Sequence, residues 1–204
     1  MKIKQVMKND INFFKVLHQE IKPAKGTALI SEPGLNDPFF KRSVVLLVEH
    51  NDKIGTIGFI LNKIIDVNIS EVMNDFPISS CKPLIMMGGP VNTDSLYFIH
   101  TLGDTIPGSM PICNSVYWGG DFDVLKSLFS LGKIKEGQVK FFIGHAGWES
   151  GQLLDELNHE SWVVVNLNDD DIILNNAQLW RKVVIRLGNK YKTWMNYPEN
   201  PHLN

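Results

Sequence analysis

The chain has 204 residues, of which 44% are hydrophobic and 21% are charged, and its formal net charge at pH 7 is -2. These values are typical of a globular domain and exclude an extensively disordered chain. A slightly negative chain exerts no long-range attraction on phosphate backbones or anionic lipid, so the sequence disfavours strong binding to nucleic acid or membranes.

Cysteine and histidine usage gives no sign of a metal site or a disulfide. The two cysteines, Cys81 and Cys113, form no Cys-x-x-Cys unit, and no two of the six histidines have the i, i+4 spacing of a helical metal site. We therefore expect free thiols, no bound metal and no cofactor. The first residues lack the unbroken apolar stretch of a signal peptide or membrane span, which favours a cytoplasmic protein.

The N-terminal half is predicted to contain one accessory helix followed mainly by strands. Asp10 is a suitable N-cap for a short helix that ends at Pro23 and Gly26. The polar connection 49–54 is close in length to a hairpin loop, so we expect its flanking strands to be antiparallel neighbours. Apolar runs predict strands at 28–30, 43–48, 55–61, 84–87 and 96–100, and a short helix at 69–76.

The C-terminal half continues this mixture after a glycine- and proline-rich loop at 103–111. Strands are predicted at 116–118, 139–143 and 162–167, and helices at 121–131, 152–158 and 176–187. Strands and helices do not alternate strictly, so we expect an α/β protein of the α+β type with a mixed, largely antiparallel sheet. The expected organisation is an N-terminal extension at 1–25, one domain at 26–188 and a loosely attached tail at 189–204.

The first group of candidate binding residues lies at predicted strand ends, where a fixed backbone presents side chains to a ligand. It comprises Arg42, His50, Asn51, Asn62 and Lys63. Arg42, His50, Asn62 and Lys63 together predict a site for an anionic group. The alternative is that the two asparagines bond backbone amides within their own turns, as this residue type commonly does.

The second group is the turn Gly88, Gly89 and Pro90, which follows a predicted strand. Glycines permit close backbone approach, so this turn is a candidate anion nest. It lacks the lysine and hydroxyl residue of a P-loop, so a tight structural turn is the alternative.

The third group, Trp148, Gln152 and Glu156, lies where the segment 144–153 is predicted to turn from a strand into a helix. The glycine spacing differs from that of a nucleotide-binding loop, and Ser150 does not stand in a nucleophile elbow. Gln152 and Glu156 share a helix face at i, i+4, which indicates either a ligand contact or a solvated face.

His50 and His100 are the candidate acid/base residues because each follows a predicted strand. A lone histidine beside apolar residues is more often a hydrogen-bonded structural group than a catalyst. Both interpretations remain open from the sequence.

Several uncommon short sequence motifs occur in a fixed order between residues 26 and 187. They include Asp37-Pro38-Phe39, Glu49-His50-Asn51, Asn62-Lys63, Gly88-Gly89-Pro90-Val91, His100, Gly147-Trp148, Gln152-Leu153, Glu156 and Trp162. In this set and order of motifs, the chain resembles the YqgE/AlgH family of bacterial proteins. The resemblance implies a branched β-sheet that curls into a pseudo-barrel with flanking helices.

The AlgH branch is named as a regulator of alginate production, so the resemblance implies regulation without a defined chemistry, and it carries over no catalytic residue. His145 departs from the family pattern, in which a tyrosine is expected, and so does the extension before Gly26.

The leading functional hypothesis is a non-enzymatic regulatory or binding protein that engages a protein partner or a small anionic ligand. The alternative is a hydrolase-like enzyme that uses His50 or His100 as a base. Direct DNA binding ranks last because the composition provides no basic recognition surface.

Overall fold

The structure, a computed structural model, describes residues 21–77, 81 and 83–198. The predicted helix after Asp10 lies largely outside these ranges. The strands are β1 (Ala28–Ser31), β2 (Val44–Asn51), β3 (Gly55–Ile60), β4 (Ile64–Ile65), β5 (Ile85–Met87), β6 (Val91–His100), β7 (Met110–Cys113), β8 (Val116–Trp118), β9 (Val139–Trp148) and β10 (Trp162–Val165). The helices are α1 (Ile69–Val72), α2 (Phe122–Ser130), α3 (Gln152–Asn158), α4 (Asp169–Ile173), α5 (Leu179–Arg186) and α6 (Lys192–Asn196).

The strands form one branched, largely antiparallel sheet, as predicted. The main path is β10-β1-β2-β3-β9-β6-β8-β7, and every neighbouring pair along it is antiparallel. A side branch joins at β9, where β5 pairs in parallel and in turn holds β4. The sheet curls but does not close into a barrel, because β10 and β7 are both free ends of the path.

The branch depends on glycines at the point where β5 leaves β9. A Cβ atom on Gly88 would lie 2.1 Å from the carbonyl oxygen of Gly144, and one on Gly144 would lie 2.5 Å from that of Gly89. Gly144 also has a φ of +68°, a conformation that other residues rarely adopt. These three glycines allow two backbones to pack in direct contact.

Helices cover the two faces of the sheet and define three apolar clusters. On one face, α5 and α6 bury Trp180 and Trp194 against β1 and β2. On the other, α3 packs through Leu153 on the β1–β3 region, while α2 packs through Phe129 beside β5 and β9. None of the helices within the described ranges has the length and apolar character needed to cross a membrane.

The predicted elements and the structure differ in several places, including β4, which was not predicted, and β6, which begins at Val91 rather than at residue 96. β9 continues through 144–148, which were predicted as a turn because glycine weakens strands. β7 begins at Met110, within the predicted loop 103–111, and continues to Cys113. Helix α4 was missed because its acidic start has no apolar periodicity, and α1 is shorter than the predicted helix 69–76.

The expected C-terminal tail is described as far as residue 198, and aromatic side chains anchor that part to the body. Tyr191 and Trp194 are buried, and the Trp194 ring stacks on that of Trp180 with centroids 6.4 Å apart. Residues 189–198 therefore belong to the folded body.

Candidate functional site

The first predicted group is divided between the two ends of the β2–β3 hairpin. The register pairs Val45 with Ile60 at one end and Asn51 with Gly55 at the other. Arg42 and Lys63 therefore lie beyond the first end and His50 near the second, roughly 25 Å away for a strand of this length. The predicted anion site of Arg42, His50, Asn62 and Lys63 is wrong for this reason.

At the first end, Arg42 and Asn62 stabilise the chain entering β2. The Arg42 guanidinium lies 5.2 Å from the centre of the Trp180 ring and donates a hydrogen bond to the carbonyl oxygen of Tyr197. The Asn62 amide donates to the Arg42 carbonyl oxygen at 2.9 Å, and its oxygen accepts from the Val44 N–H at 2.9 Å. These contacts match the structural alternative for Asn62.

Lys63 contributes to the same loop. Its ammonium donates to the Pro38 carbonyl oxygen at 3.0 Å. Burial lowers the pKa of Lys63, and the charge of Asp37 opposes that shift. The carboxylate of Asp37 in turn accepts from the Phe39 and Phe40 N–H groups, so this end is a tightly bonded turn.

The second predicted group packs on β9. The Gly88 N–H donates to the Ile143 carbonyl oxygen at 2.8 Å, and a Cβ atom on Gly89 would lie 2.3 Å from the Ala146 nitrogen. Pro90 is exposed and leads into β6. The contacts of Gly88 and Gly89 favour the tight structural turn over an anion nest.

His100 is fully buried at the far end of β6. Its Nδ1 accepts from the Leu102 N–H at 3.2 Å, which assigns the proton to Nε2, next to the Gly119 carbonyl oxygen at 3.2 Å and the Ser109 hydroxyl at 3.0 Å. Burial lowers the pKa of His100, and its ring stacks on Tyr117. The burial and the contacts of His100 favour the hydrogen-bonded structural histidine over a catalytic base.

The opposite end of the β2–β3 hairpin forms a cleft with the third predicted group. The cleft has a volume of about 460 Å³ and lies between the hairpin, the end of β9 and the start of α3. It is lined by Glu49, Ile54, Gly55, Thr56, Ile57, Val91, Gly147, Trp148, Glu149 and Gln152.

Glu156 supports one wall of this cleft. One carboxylate oxygen accepts from the indole N–H groups of Trp148 at 2.9 Å and Trp162 at 2.7 Å, and the other accepts from the Gln152 amide at 3.0 Å. Gln152 also accepts from the Glu149 N–H at 3.0 Å. The three bonds to the Glu156 carboxylate are stronger than neutral pairs because their acceptor is charged, and they hold the wall in place. Gln152 is exposed and Glu156 is half-buried, so this helix face is solvated at Gln152 while Glu156 bonds to the two indoles.

His50 and Asn51 organise the hairpin beside the cleft. His50 Nδ1 lies 2.7 Å from the Thr56 hydroxyl, and its Nε2 lies 3.2 Å from Asp52. The Asn51 side chain accepts from the N–H groups of Lys53 and Ile54, so it has the predicted turn role.

The cleft combines an acidic lining with exposed apolar side chains. Of the described residues that line it, Glu49 and Glu149 are the charged ones. Ile54 is 83% exposed and Val91 is 37% exposed. Such a lining suits an apolar or positively charged group better than the anion that the sequence suggested. The sequence analysis did not single out Ile54, because one apolar residue in a polar hairpin loop is not a distinctive signal.

Comparison with known proteins identifies the family. The family model described as AlgH-like matches residues 28–192, which includes all ten strands. The chain belongs to the AlgH-like family. A relative from Parabacteroides distasonis, a UPF0301 protein, is 43% identical over 195 residues, which are 95% of this chain and 98% of the relative. A UPF0301 protein from Bacteroides fragilis is 37% identical over 200 residues, covering 97% of this chain and all of the relative.

Solved structures of this AlgH-like fold agree with the branched sheet. The solution structure of AlgH from Pseudomonas aeruginosa matches with a TM-score of 0.68 and 26% identity, covering 89% of this chain and 98% of AlgH. A crystal structure from Corynebacterium diphtheriae matches with a TM-score of 0.72 and 21% identity, covering 90% of this chain and 97% of that one. The second likeness shows the fold alone.

Proposed function

We propose that this AlgH-like protein is a non-enzymatic binding protein and that the cleft between β3, β9 and α3 receives part of a protein partner. The observation that carries the proposal is a rigid cleft whose rim exposes Ile54 and Val91. Exposed apolar side chains beside a concave site are typical of interaction surfaces.

Hydrogen bonds and close backbone packing fix the wall and floor of the cleft, which supports binding. Glu156 fixes Trp148 and Gln152 through hydrogen bonds. A Cβ atom on Gly55 would lie 2.6 Å from the Trp148 carbonyl oxygen, so the hairpin packs directly on β9. A preorganised site loses little conformational entropy when it binds.

The test places a photo-crosslinking amino acid at Ile54 in the full chain, with the same substitution at Leu131 as the matched control. Leu131 is 66% exposed at the end of α2 and does not line the cleft. We expect a protein adduct from position 54 but not from position 131, and we expect Gly147→Met to abolish it. A Cβ atom on Gly147 meets Val91 at an ordinary 3.5 Å, so the methionine fills the cleft without backbone strain. Equal adducts from both positions would contradict the proposal.

A hydrolase is the second candidate, and one observation favours it. Thr56, His50 and Asp52 form a chain in which a hydroxyl, an imidazole and a carboxylate are successively bonded. The proposal of binding ranks above it because Thr56 is only 4% exposed and the Asp52 side chain is 90% exposed, the reverse of an accessible nucleophile and a buried orienting group.

A panel of p-nitrophenyl esters separates the two candidates. A hydrolase loses turnover in both His50→Ala and Thr56→Val, while the melting temperature of the full chain stays close to the wild-type value. Absence of turnover by the wild-type chain, or turnover that survives both substitutions, removes this candidate.

A further inference from the structure

Among the described residues, no strand pairs with the outer side of β6 before Phe98, and a register shift against β9 separates Val91 from Leu96. β9 pairs with one side of β6, whereas β8 pairs with the other side only at Ile99 and His100. The Phe98 carbonyl oxygen accepts from the Gly119 N–H at 3.0 Å, so the backbone groups of Phe98 point away from β9. Backbone groups alternate sides along an antiparallel strand, so those of Leu96 point the same way. No strand within the described ranges lies beside them.

The edge is open because the chain leaves the sheet directly after β8. Gly119 and Gly120 have φ values of +65° and +103°, which turn the backbone away from β6 and into α2. A longer β8 would continue antiparallel to β6 and pair with Leu96. Since the chain turns away, no described strand takes that position.

An apolar groove adjoins this edge, between β6, the end of α1 and the start of α2. Its volume is about 610 Å³. It is lined by Val72, Met73, Thr93, Asp94, Ser95, Leu96, Phe98, Phe122 and Ile143. A free strand edge next to an apolar groove is the arrangement in which domains bind a peptide as an added strand, with main-chain hydrogen bonds for affinity and pockets for alternate side chains.

The charge around the groove is acidic. Among the described lining residues Asp94 alone is charged, and the N-cap Asp121 and the first-turn Asp123 lie at the N-terminus of α2. Lys126 is the nearby cation, and it is bonded to Asp75 at 3.0 Å and Asp123 at 3.3 Å. A positively charged segment complements this surface, whereas a second copy of the same acidic groove does not.

We propose that this groove binds an extended segment of a partner protein, which adds a strand beside Leu96 and alternates apolar with basic side chains. The groove shares no lining residue with the cleft of the proposed function, so the two sites are tested independently.

The probe is a fluorescein-labelled synthetic peptide that alternates lysine with valine, titrated with the full chain and followed by fluorescence anisotropy. We expect saturable binding. N-methylation of alternate peptide residues removes the N–H donors that face β6, and losing even one such bond weakens binding by about tenfold. Asp94→Lys should weaken binding to a similar degree, while Asp104→Lys, an exposed acidic site in the turn after β6, should leave it unchanged.

Leu96→Pro removes the backbone N–H of Leu96 on the open side of β6. The melting temperature of this variant shows whether β6 stays folded. Asp94→Lys provides a test that does not depend on the stability of β6. Absence of saturable binding, or equal binding of the N-methylated peptide, overturns the inference. So does equal binding of a peptide with glutamate in place of lysine. Loss of binding in Gly147→Met would place the peptide in the cleft, which contradicts this inference but leaves the proposed function intact.

Discussion

Lys140 on β9 is a buried amine whose protonation should make the stability of the protein depend on pH. It is 1% exposed, and its Nζ donates to the carbonyl oxygens of Ile172 at 2.6 Å and Leu174 at 3.1 Å, at the end of α4. Burial lowers the pKa of Lys140 from 10.5 to about 7. A neutral amine still has two N–H donors for the two carbonyls, so deprotonation need not disturb α4.

The sign of the effect follows from which state holds the proton. Between pH 7 and 10.5 the unfolded chain keeps the Lys140 proton and the folded chain has lost it, so the free energy of unfolding rises with pH. The slope approaches about 1.4 kcal/mol per pH unit, which gives a gain of about 1.6 kcal/mol between pH 7 and 8.5. Above that range the thiols of Cys81 and Cys113, whose pKa values are raised by burial, contribute with the opposite sign.

Urea unfolding of the full chain at pH 7.0, 7.5, 8.0 and 8.5 measures this slope. Lys140→Met preserves the length of the side chain and should abolish most of the pH dependence, whereas Lys133→Met, at an exposed position, should retain it. If the wild-type chain and Lys140→Met have the same slope, the reasoning is refuted, because Lys140 then keeps its proton in the folded state.

Two further predictions concern the packing that supports the sites. Glu156→Gln removes the charged acceptor of two indole N–H groups and should lower the free energy of unfolding by about 1–3 kcal/mol, with altered tryptophan fluorescence; an unchanged urea midpoint would show that the Glu156 bonds contribute little. Gly144→Ala should cost about 3 kcal/mol because its Cβ would lie 2.5 Å from the Gly89 carbonyl oxygen. The matched control Gly132→Ala has a similar φ, of +63°, but nothing within 4 Å, and should cost about 1 kcal/mol. Equal losses would refute the role of the backbone contact.

The hairpin β2–β3 could be predicted because its determinants are local. Two apolar runs and a short polar connection specify antiparallel neighbours, and their register follows from the connection. The same local signals identified β8 and α3 with their observed bounds. The family resemblance then supplied the branching of the sheet, which no local pattern indicates.

The geometry of the candidate site was not predictable in the same way, because it depends on which strand ends meet. Arg42 precedes β2 and His50 lies near the end of β2, and an extended strand places its two ends far apart whatever residues it contains. Glycine was also ambiguous: Gly144 weakens a strand in isolation, yet β9 needs a residue without a Cβ there in order to pack against Gly89. Residue types alone indicated which positions were candidates for the site. The structural roles of those positions depend on the pairing of β9 with β3, β5 and β6.

Glu156 joins the curl of the sheet to the formation of the cleft. Trp148 lies on β9 and Trp162 on β10, and the order β10-β1-β2-β3-β9 separates these strands by four steps. Four steps in a flat sheet span about 19 Å, yet the two indole rings are 5.9 Å apart, with Phe40 in contact with both. The curl must therefore bring β10 back towards β9, and the Glu156 carboxylate holds this closure by accepting from both indoles. Since Trp148 also lines the cleft, the bonds that maintain the curl are the same ones that keep the cleft in shape before any partner arrives.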